Sequence, residues 1–325
     1  MKTDPTSIGQ VDGRASDAGS VSRSIQPSGF LLALSDDWQV ECASANVATF
    51  LDLDPGQLIG SAASTFLADE TIHALRNRLA LLREPDGIER LFACPLGSEG
   101  RQFDIAIHIA SNQVIVEAEP STSKQYGDVT GTLRGMMARL DKAGDLPGFC
   151  TAGARQVRAL TGFDRVMVTR FDSDGSGVVV AESARGAIDS FVGAHIPATS
   201  IAAYERAAYR RSPLHVIADV EAEPVAILGG APGNDHGPDL ARAVLRSASI
   251  GQIDQLRAMG ARASVSMALE VGDALWGIIS CHHESPRRVS FERRAMAELF
   301  ARMFAMRIEI AALKSALASR SEAPA

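Results

Sequence analysis

The sequence predicts an α+β protein of two domains. Its 325 residues are long enough for two hydrophobic cores. In the first part of the chain, segments with strand and helix patterns follow the order strand, strand, helices and three strands. The stretch Pro-Ser-Thr-Ser-Lys at 120–124 then separates these elements from a second set, as a linker would.

The composition excludes several classes of protein. Hydrophobic residues make up 46% of the chain and charged residues 22%, so both domains can bury a core. The net charge is −7 and Lys and Arg are not clustered, which argues against a nucleic-acid partner. No apolar run is long enough to span a membrane, and residues 1–20 lack the apolar stretch that a signal peptide is expected to have. Because the four cysteines are scattered, we expect a reduced, cytoplasmic protein.

The first domain is predicted at 23–125, after a flexible arm at 1–22 that is rich in Gly, Ser, Asp and Thr. Two strands, a short helix and a longer helix are expected at Phe30–Leu34, Gln39–Ala43, Asn46–Leu51 and Asp69–Arg83.

One strand of this domain shows clear alternation. In the segment Arg101–Ala110, the apolar residues recur at every second position: Phe103, Ile105, Ile107 and Ile109. Alternation of this kind is typical of a half-buried strand. His108 falls on the opposite face and is therefore expected to be a solvated surface histidine.

The second domain is predicted at 126–318, followed by a tail at 319–325. Two helices are expected, one with an apolar stripe from Leu133 to Leu140 and one at 146–160. Strands are expected at 165–171 and, after a turn, at 178–183. Residues 215–240 are expected to form a long loop, and the stretch lacks the Gly-Lys-Ser/Thr of a phosphate loop.

A hairpin is predicted where two strand patterns flank Gly272-Asp273. A two-residue loop would place Ser264 on the same face as Cys281. A three-residue loop that includes Ala274, with a bulge, would place the polar residues Ser264, Ser266, Ser280 and His282 together. We favour the second register because it separates polar from apolar side chains.

The hairpin ends in the unusual run Cys281-His282-His283. Neighbouring strand residues point to opposite faces, and no further ligand stands at a suitable spacing, which argues against a metal site. Cys281 is expected to be a buried small hydrophobe. His282 is either part of the polar lining of a pocket or a core histidine with its hydrogen bonds satisfied, and local pattern alone leaves both open.

The last helix has an apolar residue at alternating spacings of three and four. These residues are Met296, Leu299, Met303, Met306, Ile310, Leu313 and Leu317. The spacing is that of a heptad seam and predicts a dimerising or signal-carrying helix. The alternative is a helix that only caps its own domain.

Four collinear stretches resemble the photosensory core of bacterial phytochromes. They are SIQPSGFLLAL (Ser24–Leu34), GFDRVMVTRFDSDGSGVVVAES, HIPATSIAAYERAAYRRSPLHVIADVEAEPVAI (His195–Ile227) and the segment Leu245–His283. The resemblance implies a PAS domain followed by a GAF domain. It also implies a figure-of-eight knot, in which the chain around Ile25 threads the 215–240 excursion.

The resemblance also assigns a bilin pocket. Arg246 matches the arginine that binds one propionate, and Ser264 and Ser266 match serines near the other. Other positions that match the family pocket are Tyr209, His282, Met167 and Met259.

Several family residues are replaced. No cysteine precedes Cys42, and Gly251 occupies the position of the plant-type attachment cysteine, so a bilin would be held noncovalently. The Asp-Ile-Pro motif is Ser200-Ile201-Ala202, and the stacking histidine is Gln252. Further replacements stand at Thr169, His215, Ile250 and Gln255. Because Ser200 and Gln252 carry no charge, a bound bilin is expected to be less protonated and weakly photoactive.

Two functions follow from these features. The first is a photoreceptor module that binds biliverdin or a related bilin and signals through its last helix. The second is a light-independent scaffold that has lost the chromophore and acts by dimerisation or partner binding. An enzyme is not expected, since no kinase segment or phosphoacceptor histidine is found in the last helix. We therefore expect a homodimer that acts on a separate kinase or regulator.

Overall fold

The first domain is a sheet with its helices on one face. The computed structural model describes residues 23–82, 87–97, 100–122, 127–186, 189–198, 203–230 and 237–321. The arm at 1–22 lies outside the described residues. The elements of this domain are β1 (Ser24–Ile25), β2 (Phe30–Leu34), β3 (Val40–Ser44), α1 (Val47–Leu51), α2 (Pro55–Leu58), α3 (Asp69–Leu79), β4 (Glu89–Leu96), β5 (Arg101–Ala110) and β6 (Gln113–Pro120).

The second domain has an antiparallel sheet in the order β10-β12-β13-β7-β8-β9. Its elements are α4 (Val129–Leu140), α5 (Leu146–Thr161), β7 (Arg165–Phe171), β8 (Gly177–Ala184), β9 (His195–Ile196), α6 (Ala203–Arg211), β10 (Leu214–Ile217), β11 (Val225–Gly229), α7 (Ile250–Ala258), β12 (Ala263–Val271), β13 (Ala274–His283) and α8 (Phe291–Ser321). Helices α4, α5 and α8 pack on one face of this sheet and form the main core with it. The predicted α+β class is confirmed.

Local signals explain where the helices of this core begin and end. The Asp128 side chain accepts a hydrogen bond from the Gly131 N–H at 2.7 Å, and Asp145 caps α5 in the same way. Helix α5 ends at Thr161 and is capped by Gly162, whose φ of +70° is favourable for glycine.

The segment 215–240 is not the loop that the sequence predicted. It contains β10 and β11, and β11 joins the first domain, where the sheet order is β1-β11-β3-β2-β6-β5-β4. Ile227 pairs with Ser44 on β3, and Val225 pairs with Ile25 on β1. These strands are too short to show a clear alternation of apolar and polar residues, and the Gly and Pro residues around them suggest a loop.

Residues 24–26 are bonded to the second domain on several sides. The Gln26 backbone N–H donates to the Leu245 carbonyl at 2.7 Å. Its side chain donates to the Val216 carbonyl at 2.5 Å and accepts from the Ala218 N–H at 3.1 Å. These are contacts that a threaded segment would make. Threading itself stays a prediction, because residues 231–236 of the surrounding excursion lie outside the described residues.

His108 is buried, so its prediction as a solvated histidine was wrong. The side chain has no solvent exposure, whereas Ile109, expected to be buried, is 45% exposed at the end of the strand. A remote part of the chain covers the face of β5 that carries His108. Leu240, Ala243 and Leu245 pack there against Leu31 and Ile115.

The β12–β13 hairpin has the predicted faces but not the predicted loop. Val271 pairs with Ala274, so the loop is the two residues Gly272-Asp273. The bulge lies further along, where Leu269 pairs with Gly277 and Glu270 with Leu275. One extra residue on β13 restores the register and places Ser264 opposite His282.

Helix α8 has two apolar faces. Ala297, Phe300, Phe304 and Ile308 are buried in the core of the second domain. Much of the predicted seam lies on the other side and is exposed; it comprises Leu299, Met306, Ile310, Leu313 and Leu317. Met296 is an exception to the predicted seam, since it is buried. Within the described ranges, no helix has the length and apolar character needed to span a membrane.

Candidate functional site

A cavity lies on the second face of the second-domain sheet, beneath α6, α7 and the segment 243–248. It encloses about 990 Å³ of empty space, including its open mouth. Its described wall combines apolar side chains, among them Met167, Val179 and Ile278, with a nearly equal number of polar residues.

Eight of the nine site residues predicted from the sequence line this cavity. They are Met167, Tyr209, Arg246, Gln252, Met259, Ser264, Ser266 and His282. The ninth, Ser200, lies outside the described residues. These eight residues come from β7, α6, the segment before α7, α7 with its C-cap, β12 and β13. They are spread over more than 100 positions, so the fold brings them together.

The β12–β13 hairpin forms the polar floor of the cavity. Ser264 pairs with His282, and Ser266 pairs with Ser280. The alternate residues Val265 and Cys281 point to the opposite face, into the hydrophobic core. Burial raises the pKa of the Cys281 thiol well above its usual value. Such a thiol remains protonated and is neither a nucleophile nor a metal ligand.

The two histidines at the end of β13 have different surroundings. His282 faces the cavity, and burial, followed by the charge of Arg165, lowers its pKa to about 4. His283 lies on the other side, with Nδ1 2.5 Å from a carboxylate oxygen of Asp164. Among the described residues, no group of three or more His, Cys, Asp or Glu side chains could hold a metal ion.

Arg246 supplies the cationic group of the cavity. It donates from Nη1 to the Ala241 carbonyl at 3.0 Å, and its Nη2 lies 3.4 Å from both ring nitrogens of His215. His215 in turn stacks on Tyr209, with ring centroids 4.3 Å apart. Burial and the nearby Arg246 lower the pKa of His215 to about 3, so this histidine is neutral at pH 7.

The described lining therefore has one fixed charge. Both of its histidines are neutral at pH 7, and no Asp, Glu or Lys belongs to it. Burial lowers the pKa of the Arg246 guanidinium, but the carboxylate of Glu117 opposes this effect. A ligand with an acidic group near Arg246 matches this arrangement.

Gln252 is held by the helix on which it lies. Its side-chain oxygen accepts the Ser249 N–H at 3.2 Å, and the Ser249 hydroxyl accepts the Gln252 N–H at 3.1 Å. This is a capping box at the N-terminus of α7. The Ser-x-x-Gln spacing was visible in the sequence and could have indicated this role.

Two serines of the wall were absent from the predicted site. Ser280 was placed on the polar face of the hairpin but not assigned to the cavity, which it lines. Ser247 lies in the extended segment before α7, where no periodicity marks it. Its hydroxyl is buried and has no hydrogen-bond partner among the described residues. It is therefore a free polar group beside Arg246.

Two protein families match the chain. Residues 19–121 match the PAS fold and residues 145–311 match the GAF domain.

Curated relatives have the same two domains in longer chains. Cyanobacterial phytochrome B of Nostoc sp. is 33% identical over 286 residues, which is 86% of this chain and 38% of that protein. The bacteriophytochrome of Pseudomonas aeruginosa is 32% identical over 292 residues, covering 88% and 39%. The chain therefore spans less than two fifths of the length of these relatives.

Solved structures show the same fold. The chromophore-binding domain of Stigmatella aurantiaca phytochrome P1 superposes with a TM-score of 0.80 at 30% identity. The match covers 88% of this chain and 96% of that one. A bacteriophytochrome chromophore-binding domain from R. palustris gives a TM-score of 0.79 at 32% identity, covering 90% and 96%.

Proposed function

The chain belongs to the bacteriophytochrome family, of which it contains the PAS–GAF core, and from this premise we propose that it binds a linear tetrapyrrole of the biliverdin type noncovalently. The observation that carries the proposal is the cavity that combines Arg246, two serine hydroxyls on β12 and an apolar wall. It suits a flat apolar molecule that carries carboxylates.

Different residues of the cavity would bind different parts of such a ligand. Arg246 would bind a propionate carboxylate through its guanidinium, and Ser264 and Ser266 would donate hydroxyl hydrogen bonds. Met167 and Ile278 would pack on the pyrrole rings. When bound, the tetrapyrrole supplies the absorption of visible light, and the signal would pass through α8.

We propose that no thioether attaches the ligand to the protein. None of residues 1–41 is a cysteine. None of the four cysteines of the chain belongs to the described lining of the cavity. The ligand would be held by its carboxylates and by apolar contact.

The cavity favours a bilin whose pyrrole nitrogens are not fully protonated. The described lining offers no carboxylate that could stabilise a cationic ring system. The side-chain oxygen of Gln252 is already bonded to the Ser249 N–H. We therefore propose a weak response to light, since the charge that normally accompanies the chromophore is missing.

The proposal is tested by expressing the protein with a supply of biliverdin and recording its absorption before and after red light. We expect a bound red-absorbing band that changes little on illumination. Arg246→Met should weaken apparent binding about 10- to 100-fold, since a hydrogen-bonded charge is lost. Arg242→Met is the matched control, because Arg242 lies in the same segment but is not part of the cavity wall. The absence of any bound band would refute bilin binding.

A light-independent scaffold is the second candidate, and the exposed seam of α8 favours it. Leu299, Met306 and Leu313 recur every seven residues and are 46%, 60% and 58% exposed. We propose that this face binds the same face of a second copy, and that the dimer passes its signal to a kinase or regulator.

The dimer is tested by sedimentation equilibrium. Leu313→Lys should raise the dissociation constant about tenfold or more, since burial of a leucine contributes about 1.5–3 kcal/mol. Leu146→Lys is a suitable control because Leu146 is also exposed but lies on α5. Equal dissociation constants for both variants and the unchanged protein would exclude the seam.

A further inference from the structure

Glu117 of β6 is buried where the first domain meets the wall of the cavity. Its side chain is 2% exposed, and Oε1 accepts the Leu245 N–H at 2.7 Å. The other oxygen, Oε2, is buried and has no hydrogen-bond partner among the described residues. A buried carboxylate with one free oxygen is costly and therefore needs an explanation.

The residue after Leu245 is Arg246, the cation of the cavity. The bond from Glu117 thus fixes the backbone from which the Arg246 side chain extends. The charge of Glu117 also raises the pKa of Arg246 against the effect of burial. Because interaction between two charges is reciprocal, Arg246 also favours the ionised form of Glu117. Arg294 acts on the pKa of Glu117 in the same direction.

On its other side Glu117 is next to the start of α8. Glu119, two residues along the same face of β6, pairs with the buried Arg294 and lies 3.7 Å from Arg288. Gly29 lies between β6 and Leu245 and leaves no room for a side chain. A Cβ at this position would lie 2.4 Å from the Ala118 carbonyl and 3.0 Å from Leu245.

The balance of charges leaves Glu117 ready to exchange a proton. Burial raises its pKa to about 7, and the backbone N–H groups of Leu245 and Val244 oppose this rise. The charged and titratable groups that face it from the neighbouring elements are Glu119 on β6, Asp104 and His108 on β5, Asp239 and Arg246 in the segment 237–246, and Arg294 on α8.

We propose that Glu117 is a positioning residue for Arg246, and that it takes up one proton when an anionic ligand binds to Arg246. The inference rests on the proposed function of the cavity. A ligand carboxylate neutralises the field of Arg246, and Glu117 then loses a cation that kept it ionised. One proton passes from a buffer acid in solution to Oε2 and leaves the conjugate base of the buffer, and no other bond is made or broken.

The first test needs no ligand. The carboxylic acid band of Glu117 is followed by infrared spectroscopy against pH, and Glu117→Gln identifies it by its disappearance. Arg246→Met should move the midpoint upward by about one pH unit or more, because a nearby cation is removed. An unchanged midpoint would overturn the proposal. Glu117 is intact in this comparison, so the result does not depend on how Glu117→Gln folds.

The second test uses biliverdin and its dimethyl ester, whose propionates are uncharged. Affinity for biliverdin should fall about tenfold as pH rises from about 6 to 8.5, since one proton is bound with the ligand. Glu117→Gln should flatten this profile, and the ester should show no slope. Glu41→Gln, the same change at a carboxylate bonded to Gln113 elsewhere in the sheet, should keep the slope.

The outcomes separate the two proposals. An equal slope in Glu117→Gln and in the unchanged protein would reject the role of Glu117 while bilin binding stands. If Arg246→Met raises the pH midpoint of the Glu117 band but the unchanged protein does not bind biliverdin, the link between Glu117 and Arg246 is supported and the proposed ligand is refuted.

Discussion

The two faces of the first-domain sheet are both buried, but by different means. One face is apolar and packs on the helices of its own domain; Phe30, Leu32, Phe103, Ile105 and Val116 belong to it. The other face mixes Leu31, Ala33 and Ile115 with the polar side chains Asp104, His108, Gln113, Glu117 and Glu119. Leu240, Ala243 and Leu245, from the second half of the chain, pack on this face.

This difference shows that burial and hydrophobicity are separate properties of a strand face. The apolar face needs only contact, because it makes no hydrogen bonds. The mixed face must provide partners for its polar groups, and where a partner is missing the charge state changes instead. His108 and Glu117 are the two residues on which this cost falls most clearly.

The largest loss of stability is expected from a substitution on the apolar face. Phe103→Ala should lower the free energy of unfolding by about 3–5 kcal/mol, since a fully buried aromatic ring is lost and leaves a cavity. Ile109→Ala, on the same strand but at a 45% exposed position, should cost less than about 1 kcal/mol. Chemical denaturation measures both. Similar losses would mean that the apolar face is not the main source of stability.

The mixed face is expected to make a smaller contribution to the free energy of unfolding, and this contribution depends on pH. Burial lowers the pKa of His108 to about 4, whereas an unfolded histidine has a pKa of about 6.5. As pH falls from about 6.5 to 4, the unfolded state takes up a proton that the folded state does not. Stability should therefore fall over this range by about 3 kcal/mol on account of His108, and level off below pH 4.

His108→Leu should remove this part of the pH dependence. Its stability relative to the unchanged protein should rise between pH 7 and pH 4, as measured by denaturation at each pH. His73→Leu is the control, because His73 is exposed on α3 in the same domain. A constant difference between His108→Leu and the unchanged protein across the range would show that the fold does not lower the pKa of His108.

The sequence predicted the strand faces better than their surroundings. Alternation placed Phe103 and His108 on opposite faces, and it did so correctly, because side chains alternate in any strand. It could not show that residues more than 100 positions later would cover His108. For the same reason β11 was missed, since its five residues acquire their structure by pairing with β3 and β1.

For the candidate site, the segregation of Ser264, Ser266 and His282 from Val265 and Cys281 was predictable from the polarity of the residues. The position of the bulge was not, because a bulge depends on how β13 pairs with β7 as well as with β12. The arginine and tyrosine of the cavity were found through resemblance rather than from local pattern. Glu117 was not found at all, since nothing nearby in the sequence indicates its contact with Leu245.

The pairing of β11 with β3 sets an order of events during synthesis. Ile227 completes a ladder that begins at Ser44, about 180 residues earlier. At a translation rate of about 5–20 residues per second, the outer edge of β3 would wait roughly 10–40 s on the ribosome before its partner exists. An unpaired strand edge attracts other chains during such a delay. The nascent chain is therefore exposed to association with other chains for a time that is set by the sequence separation of β3 and β11.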